Sequence, residues 1–336
     1  MAKNWNNNSK SKIKLGLIGV GYWGKNLLRV FNELDVLKIA CDLNEELLNG
    51  KKQEYPNIQF TTNLVDVLND KEIKGVVIST PAVTHYKLAK EAILAGKDVF
   101  VEKPLALKMG EGEELVKLAQ KKKAILMVGH LLLYHPAVKK LKALIKKGEL
   151  GEIYYIYSNR LNFGKIRTEE NVLWSFAPHD ISVIINFLGM PKKVRVIGEN
   201  YLQKDVADTT LSFLDFGKKR AAHIFVSWLN PFKEQKLSVI GEKAMAVFDD
   251  RAEEKLILYH HKVKNNNNCP EAVVAQGESI EIPNEEPLME EAKHFLDCIE
   301  KRQNPVTDGY EALNVLKVLS ACQKSLEKNG KTILVS

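Results

Sequence analysis

The apolar positions of this chain fall into two regimes. Up to Val128, short apolar runs alternate with segments whose apolar residues recur every three or four positions, the period of one helix face. Leu15 to Val20, Val36 to Cys41, Ile58 to Phe60, Val76 to Ser79, Asp98 to Val101 and Ala124 to Val128 read as strands. Between them, Lys25 to Glu33, Asn44 to Gln53, Leu64 to Leu68, Thr84 to Ala95 with Gly96 as its stop, and Gly112 to Lys121 read as helices. Strands separated by helices build βαβ units, so residues 13–128 are expected to form a doubly wound parallel sheet of Rossmann type.

Past residue 128 the pattern changes. His135 to Lys147 is helical and stops at Gly148. Strand-like runs follow at Glu152 to Ser158, Val194 to Gly198, Asp208 to Asp215, Ala221 to Trp228, Gln235 to Ile240, Ala244 to Phe248 and Lys255 to Tyr259, mostly without helices between them. That spacing predicts an α+β domain over residues 129–336 with a large, mostly antiparallel sheet, so the fold class is α/β with an α+β second domain. Leu288 to Lys301 and Tyr310 to Lys328 read as closing amphipathic helices, and Asn265 to Asn268 as a polar loop. Helices on one face of such a sheet leave the other for a second copy, so a homodimer or homotetramer is expected.

Composition narrows the function classes. The formal charge of +7 comes from lysine pairs such as Lys51-Lys52, Lys139-Lys140 and Lys146-Lys147. Without interleaved aromatics these read as solvated helix faces rather than a nucleic-acid surface, and they suit an anionic small molecule. Four scattered cysteines with no C-x-x-C pair suggest neither a disulfide framework nor a metal site. No apolar run reaches membrane-span length, and the polar, Asn-rich residues 1–12 read as a mobile tail rather than a signal peptide. A cytoplasmic location is expected.

The chemistry centres on Gly19-Val20-Gly21-Tyr22-Trp23-Gly24, a G-x-G-x-x-G turn between the first strand and the first helix. Gly19 makes the turn, Gly21 lets a pyrophosphate approach the backbone, and Gly24 allows close packing of the helix. The helix N-terminus offers N–H groups and a positive dipole end to phosphates. Asp42, about 20 residues on at the end of the second strand, suits a ribose 2′-hydroxyl. Neither Leu43 nor Asn44 is basic, which favours NAD over NADP.

Three further clusters fall at successive strand ends: Ser79-Thr80-Pro81 with Thr84-His85, then Glu102-Lys103-Pro104, then Gly129-His130. Thr80, Pro81, His85, Glu102 and Lys103 are therefore candidate cofactor contacts, because ligands of doubly wound sheets bind beyond the strands' carboxyl ends. The Lys103 ammonium could polarise a substrate hydroxyl or carbonyl there. In the second domain, Arg160, Asn162, Lys165 and Arg167 offer donors to an anionic substrate. Pro178 suits the first turn of a helix running on to Leu188, which would put His179 near that helix's N-terminus.

Together the G-x-G-x-x-G turn, Thr80-Pro81 with His85, Glu102-Lys103-Pro104, Gly148-Glu149-Leu150-Gly151 and the His179 helix resemble the Gfo/Idh/MocA family of NAD(P)-dependent oxidoreductases over nearly the whole chain. The resemblance implies that Lys103 and His179 flank the substrate carbon and move its proton, with the base between them unassigned. Many members carry an aspartate four residues before the histidine; here the residue is Ser175, so Lys103 and His179 would act without it. The block from Arg160 to Asp180, with Trp228 to Lys236, is similar to the nucleotide-sugar branch. That likeness implies oxidation of the 3-hydroxyl of UDP-N-acetylglucosamine to a ketone, with its uronic acid as the alternative substrate. A PLP-dependent aminotransferase would then be the functional partner, making a 3-amino sugar for lipid A or another surface glycan. A catalytically idle dinucleotide-binding scaffold would lack the lysine or the histidine, and both are present.

Overall fold

The computed structural model describes residues 13–164, 166–266 and 269–335; the expected tail and Lys165 lie outside the described residues. The chain divides into two compact units, one reaching Gly129 and taking in Leu288–Leu313, the other formed by His130–Pro287 and Asn314 onward.

In the first unit, strands β1 (Lys14–Ile18), β2 (Leu37–Cys41), β3 (Gln59–Thr61), β4 (Ile73–Ile78), β5 (Asp98–Val101) and β6 (Leu126–Val128) form a parallel sheet in the order β3-β2-β1-β4-β5-β6. Helices α1 (Gly24–Glu33), α2 (Glu45–Lys52), α3 (Leu64–Leu68), α4 (His85–Leu94) and α5 (Met109–Lys122) make the crossovers. The order reverses between β1 and β4, which places the switch point of the sheet at the glycine turn. β4 and β5 are buried almost throughout, as strands covered on both faces must be.

The second unit opens with α6 (Pro136–Lys146), β7 (Ile153–Phe163) and α7 (Val172–Leu188). Then come β8 (Lys193–Glu199), β9 (Thr209–Gly217), β10 (Arg220–Ser227), β11 (Leu229–Gly241), β12 (Met245–Asp249), β13 (Leu256–Tyr259), the hairpin β14 (Lys262–Asn266) and β15 (Cys269–Val273), and β16 (Gly277–Ser279). The nine-stranded sheet runs β16-β13-β12-β11-β7-β10-β9-β8-β17, where β17 is Ile333–Leu334. It is antiparallel except where β10 lies parallel to β7. Ala222, Ile224 and Val226 of β10 and Leu214 and Phe216 of β9 share a core with Ala177, Ile181 and Ile184 of α7. Between the buried positions, Leu211 and Phe213 of β9 point the other way and stay exposed. On that outward face Tyr157 stacks on His223 at 5.5 Å and on Tyr155 at 6.4 Å.

Two expectations change. The second domain does not run unbroken to the end of the chain, because α8 (Pro287–Lys301) turns its apolar stripe into the first unit. Phe295 of α8 meets Phe100 of β5 edge-on at 5.8 Å, and a Cβ on Gly75 of β4 would lie 3.1 Å from the Ile299 side chain. The Arg302 guanidinium donates to Asp98 at 2.6 Å, and Val128 N–H to the Thr307 carbonyl at 2.9 Å. α9 (Gly309–Glu327) begins in the first unit and passes to the second after Leu313. The other change concerns α7, which starts at Val172 rather than at Pro178. Asn171 caps it by accepting from the Trp174 N–H at 3.2 Å, and Pro178 sits inside it. His179 is therefore a mid-helix residue, too far from the terminus for the dipole to govern its imidazole. Among the described residues no helix is long and apolar enough to cross a membrane.

Candidate functional site

Backbone hydrogen bonds align the strand ends of the first unit in one row. Gly19 N–H donates to the Cys41 carbonyl at 2.7 Å, Ser79 to Ile18 at 2.8 Å, Glu102 to Ile78 at 2.9 Å and Gly129 to Val101 at 2.9 Å. Each glycine of the turn has its own task. Gly19 has φ +92°, and a Cβ there would stand 2.7 Å from the Ser79 carbonyl oxygen. On Gly24 it would come within 2.1 Å of the Gly19 carbonyl oxygen, whereas nothing lies within 4 Å of the position on Gly21. The close approach at Gly24 is thus between α1 and the turn itself, and the open cradle is at Gly21. No acidic residue stands in the first turn of α1, so its N–H groups and dipole face an anion unopposed.

Asp42, just past β2, is tied to this loop. Its Oδ2 accepts from Val20 N–H at 2.8 Å and its Oδ1 from Asn44 N–H at 3.0 Å. The carboxylate is held against the turn by these two bonds, with further lone pairs available to a ribose hydroxyl. Tyr22 is exposed, while Trp23 donates its indole N–H to Glu102 Oε1 at 2.6 Å. This bond joins the turn to the end of β5, and one-dimensional reading of the motif did not reveal it. The residues fit a dinucleotide: the cradle, the helix terminus and the acid occur together where the sheet order reverses.

His85 does something other than face a cofactor. It is buried, with Nδ1 2.7 Å from the Pro104 carbonyl oxygen and Nε2 2.9 Å from that of Thr80. The ring ties the loop after β4 to the loop after β5, while Thr80 and Thr84 share a hydroxyl hydrogen bond at 2.6 Å. Thr80, Pro81, Glu102 and Lys103 are thereby brought to adjoining strand ends. Lys103 itself is half-buried, and its peptide bond to Pro104 is cis.

In the second unit Arg160 departs from the expectation of a ligand-facing cation. It is buried, donating from Nε and Nη2 to the two oxygens of Asp180 at 2.7 and 3.1 Å. Ser158 adds a hydroxyl to Asp180 Oδ1 at 2.6 Å. In the amide orientation that satisfies both neighbours, Gln235 accepts from Arg160 Nη1 at 3.1 Å and donates to Asp250 at 2.7 Å. Asp250 continues the network to His135 Nε2 at 3.3 Å. His135 Nδ1 accepts from Ala137 N–H, so the proton lies on Nε2 and is donated to Asp250. Burial tends to raise the Asp250 carboxyl, but the hydrogen bond from His135 and the positive charges of Lys255 and Arg160 outweigh it and leave a net lowering. The network fixes α7 against β7 next to His179, which is half-buried one turn beyond the buried Ser175. Arg167 pairs with Glu170 at 2.9 Å, Asn162 is half-buried on β7, and Lys165 lies outside the described residues. Trp228 belongs to the core, with its indole donating to Asp208 at 3.1 Å.

The sequence matches two family models, "Oxidoreductase family, NAD-binding Rossmann fold" over residues 13–130 and "GFO/IDH/MocA C-terminal domain" over residues 138–247. Scyllo-inositol 2-dehydrogenase (NADP(+)) IolW of Bacillus subtilis is 31% identical over 62% of this chain, and the match spans 61% of that relative's length. UDP-N-acetylglucosamine 3-dehydrogenase of Acidithiobacillus ferrooxidans is 25% identical over 90% of this chain and 94% of its own. The solved structure of that enzyme superposes with a TM-score of 0.83, covering 94% of this chain and 98% of the other at 23% identity, which shows a shared fold. With both of its domain models matched in order along a Rossmann unit and a sheet unit, the chain belongs to the Gfo/Idh/MocA family of oxidoreductases.

Proposed function

We propose that the protein is an NAD-dependent dehydrogenase that oxidises the 3-hydroxyl of UDP-N-acetylglucosamine to a ketone. The observation that carries this reading is the likeness to the Acidithiobacillus ferrooxidans enzyme, which extends over 90% of the chain, whereas the likeness to the inositol dehydrogenase ends after 62%. Asp42 at the end of β2, followed by the uncharged Leu43 and Asn44, supports NAD over its 2′-phosphorylated form.

A dinucleotide held at Gly21, the α1 terminus and Asp42 would supply the hydride acceptor for the sugar carbon. The chain's own residues handle the proton. Of Lys103 and His179, one takes the hydroxyl proton and the other stabilises the negative charge developing on that oxygen. Arg160, committed to Asp180, serves by fixing α7, which leaves the substrate diphosphate to Arg167, Lys165 and Asn162. The ketone product suits a PLP-dependent aminotransferase that makes a 3-amino sugar for a surface glycan. The outward aromatic face of the second sheet supports self-association as a dimer or tetramer.

The test is a mass-spectrometric search for a 3-amino sugar nucleotide after incubation with NAD, glutamate and a 3-keto-sugar aminotransferase. UDP-N-acetylglucosamine, its uronic acid, and scyllo-inositol with NADP are offered separately. Coupling removes a ketone whose formation is uphill. Product from UDP-N-acetylglucosamine supports the reading; product from the uronic acid alone, or dinucleotide reduction with the inositol alone, replaces the substrate.

A further inference from the structure

Helix α8 carries an acid on its apolar face. Leu288, Ala292, Phe295 and Leu296 form its buried stripe, and Glu291 lies in the same stripe with 0% of its surface exposed. Neither of its carboxyl oxygens has a hydrogen-bond partner among the described residues. An ionised carboxylate so placed has given up its hydration for nothing, so taking up a proton is the far cheaper state. Burial first, and the negative charge of Glu102 second, push the Glu291 carboxyl well above the usual carboxylate range.

Glu291 lies one helical turn before Phe295, whose ring meets Phe100 of β5 two residues before Glu102, so α8 brings its buried acid to the end of the strand that carries Glu102. On α8 itself, Glu290 is engaged with Lys293 at 3.0 Å. The end of β6 stands beside Glu102: a Cβ on Gly129 would lie 3.0 and 3.1 Å from its two oxygens, space that the glycine leaves open to the carboxyl. Glu102 Oε1 is the acceptor for Trp23, the residue directly before α1.

We propose that Glu291 is a positioning residue for the dinucleotide loop: as the neutral acid it leaves Glu102 in place to hold Trp23, and on ionisation it drives Glu102 off that bond. The proposal rests on the first unit's dinucleotide binding. Two effects act in the same direction. Two carboxylates in a site of low dielectric repel strongly, and the strain is relieved where Glu102 meets Trp23. A second negative charge behind the strand ends also opposes the pyrophosphate. Neutral Glu291 adds no such charge.

Glu291→Gln keeps the shape and cannot ionise. NADH affinity of the full-length protein and of this variant is measured by fluorescence titration from pH 6 to 9, with Tm recorded over the same range and down to pH 5. The wild type is expected to lose about tenfold in affinity as Glu291 ionises, while the variant stays within about twofold. The expected Tm difference has a definite sign. The folded chain holds this proton more tightly than the unfolded one, so Glu291's contribution is complete below an unfolded pKa of about 4.3 and is lost as pH rises towards the folded value. Glu291→Gln should therefore gain on the wild type as pH rises from 5. Parallel NADH profiles overturn the proposal, even if the Tm gap widens. Should the glutamine variant fail to fold, Glu291→Met, equally unable to ionise, is read in the same way. Absence of NADH binding by both proteins at every pH overturns the dinucleotide assignment and the proposal with it, while the Tm gap still reports Glu291's own proton.

Discussion

Arg160 shows how one side chain can look like a ligand and be a strut. From the sequence it is a cation in a donor-rich stretch; in the fold it makes a two-point bond to Asp180 in a buried place. Arg160→Ala leaves an uncompensated buried carboxylate, and a stability loss of about 3–5 kcal/mol by urea denaturation is expected. A raised KM for substrate with unchanged stability would return Arg160 to the substrate. Lys103 is expected to behave in the opposite way. Lys103→Ala should cut kcat by about a hundredfold or more, the usual size of a lost general acid or base, while NADH affinity moves little. Turnover at the wild-type level would remove it from the chemistry. What was legible at this scale was residue type and spacing along one strand end. The partners were not, because Trp23 meets Glu102 and Arg160 meets Asp180 across the fold. Glu291 did leave a trace, as an acid falling on the apolar stripe of a helical pattern.

The first strand, turn and helix form the element on which the dinucleotide assignment rests, and its glycines separate by what surrounds them. Gly24→Ala must push a methyl group against the Gly19 carbonyl, so loss of Tm is expected. Gly21→Val meets open space in the protein, so Tm should hold while NADH affinity falls. Equal NADH affinity in Gly21→Val and wild type would show that no phosphate approaches there. The alternating strands and helices of the first unit could be read from periodicity because parallel strands buried on both faces are short continuous apolar runs. The start of α7 could not. Pro178 looks like an opening residue, but Asn171 supplies the cap seven positions earlier and tertiary packing tolerates the proline inside. The shift removes the dipole from any account of His179.

On the scale of the whole molecule, two units share a chain that returns to the first one late. The apolar stripe of α8 was visible, but which core it would enter was not, since periodicity gives a face and no destination. The outward face of the second sheet, with Tyr155, Tyr157, Phe213 and His223, is expected to be covered by a second copy. Phe213→Glu, exposed in the single chain, should shift the mass in light scattering from dimer or tetramer to monomer. A wild-type monomer at micromolar concentration would contradict that assembly.

The proposed oxidation breaks one bond, the C3–H bond of the sugar. UDP-N-acetylglucosamine carrying deuterium at C3 is incubated with the protein, NAD, glutamate and a 3-keto-sugar aminotransferase, and the dinucleotide is analysed by mass spectrometry. Reduced dinucleotide bearing one deuterium for each 3-amino product formed is the expected result. Unlabelled NADH would place the oxidation at another carbon, and no reduction of NAD at all would contradict the assignment of this sugar nucleotide as the substrate.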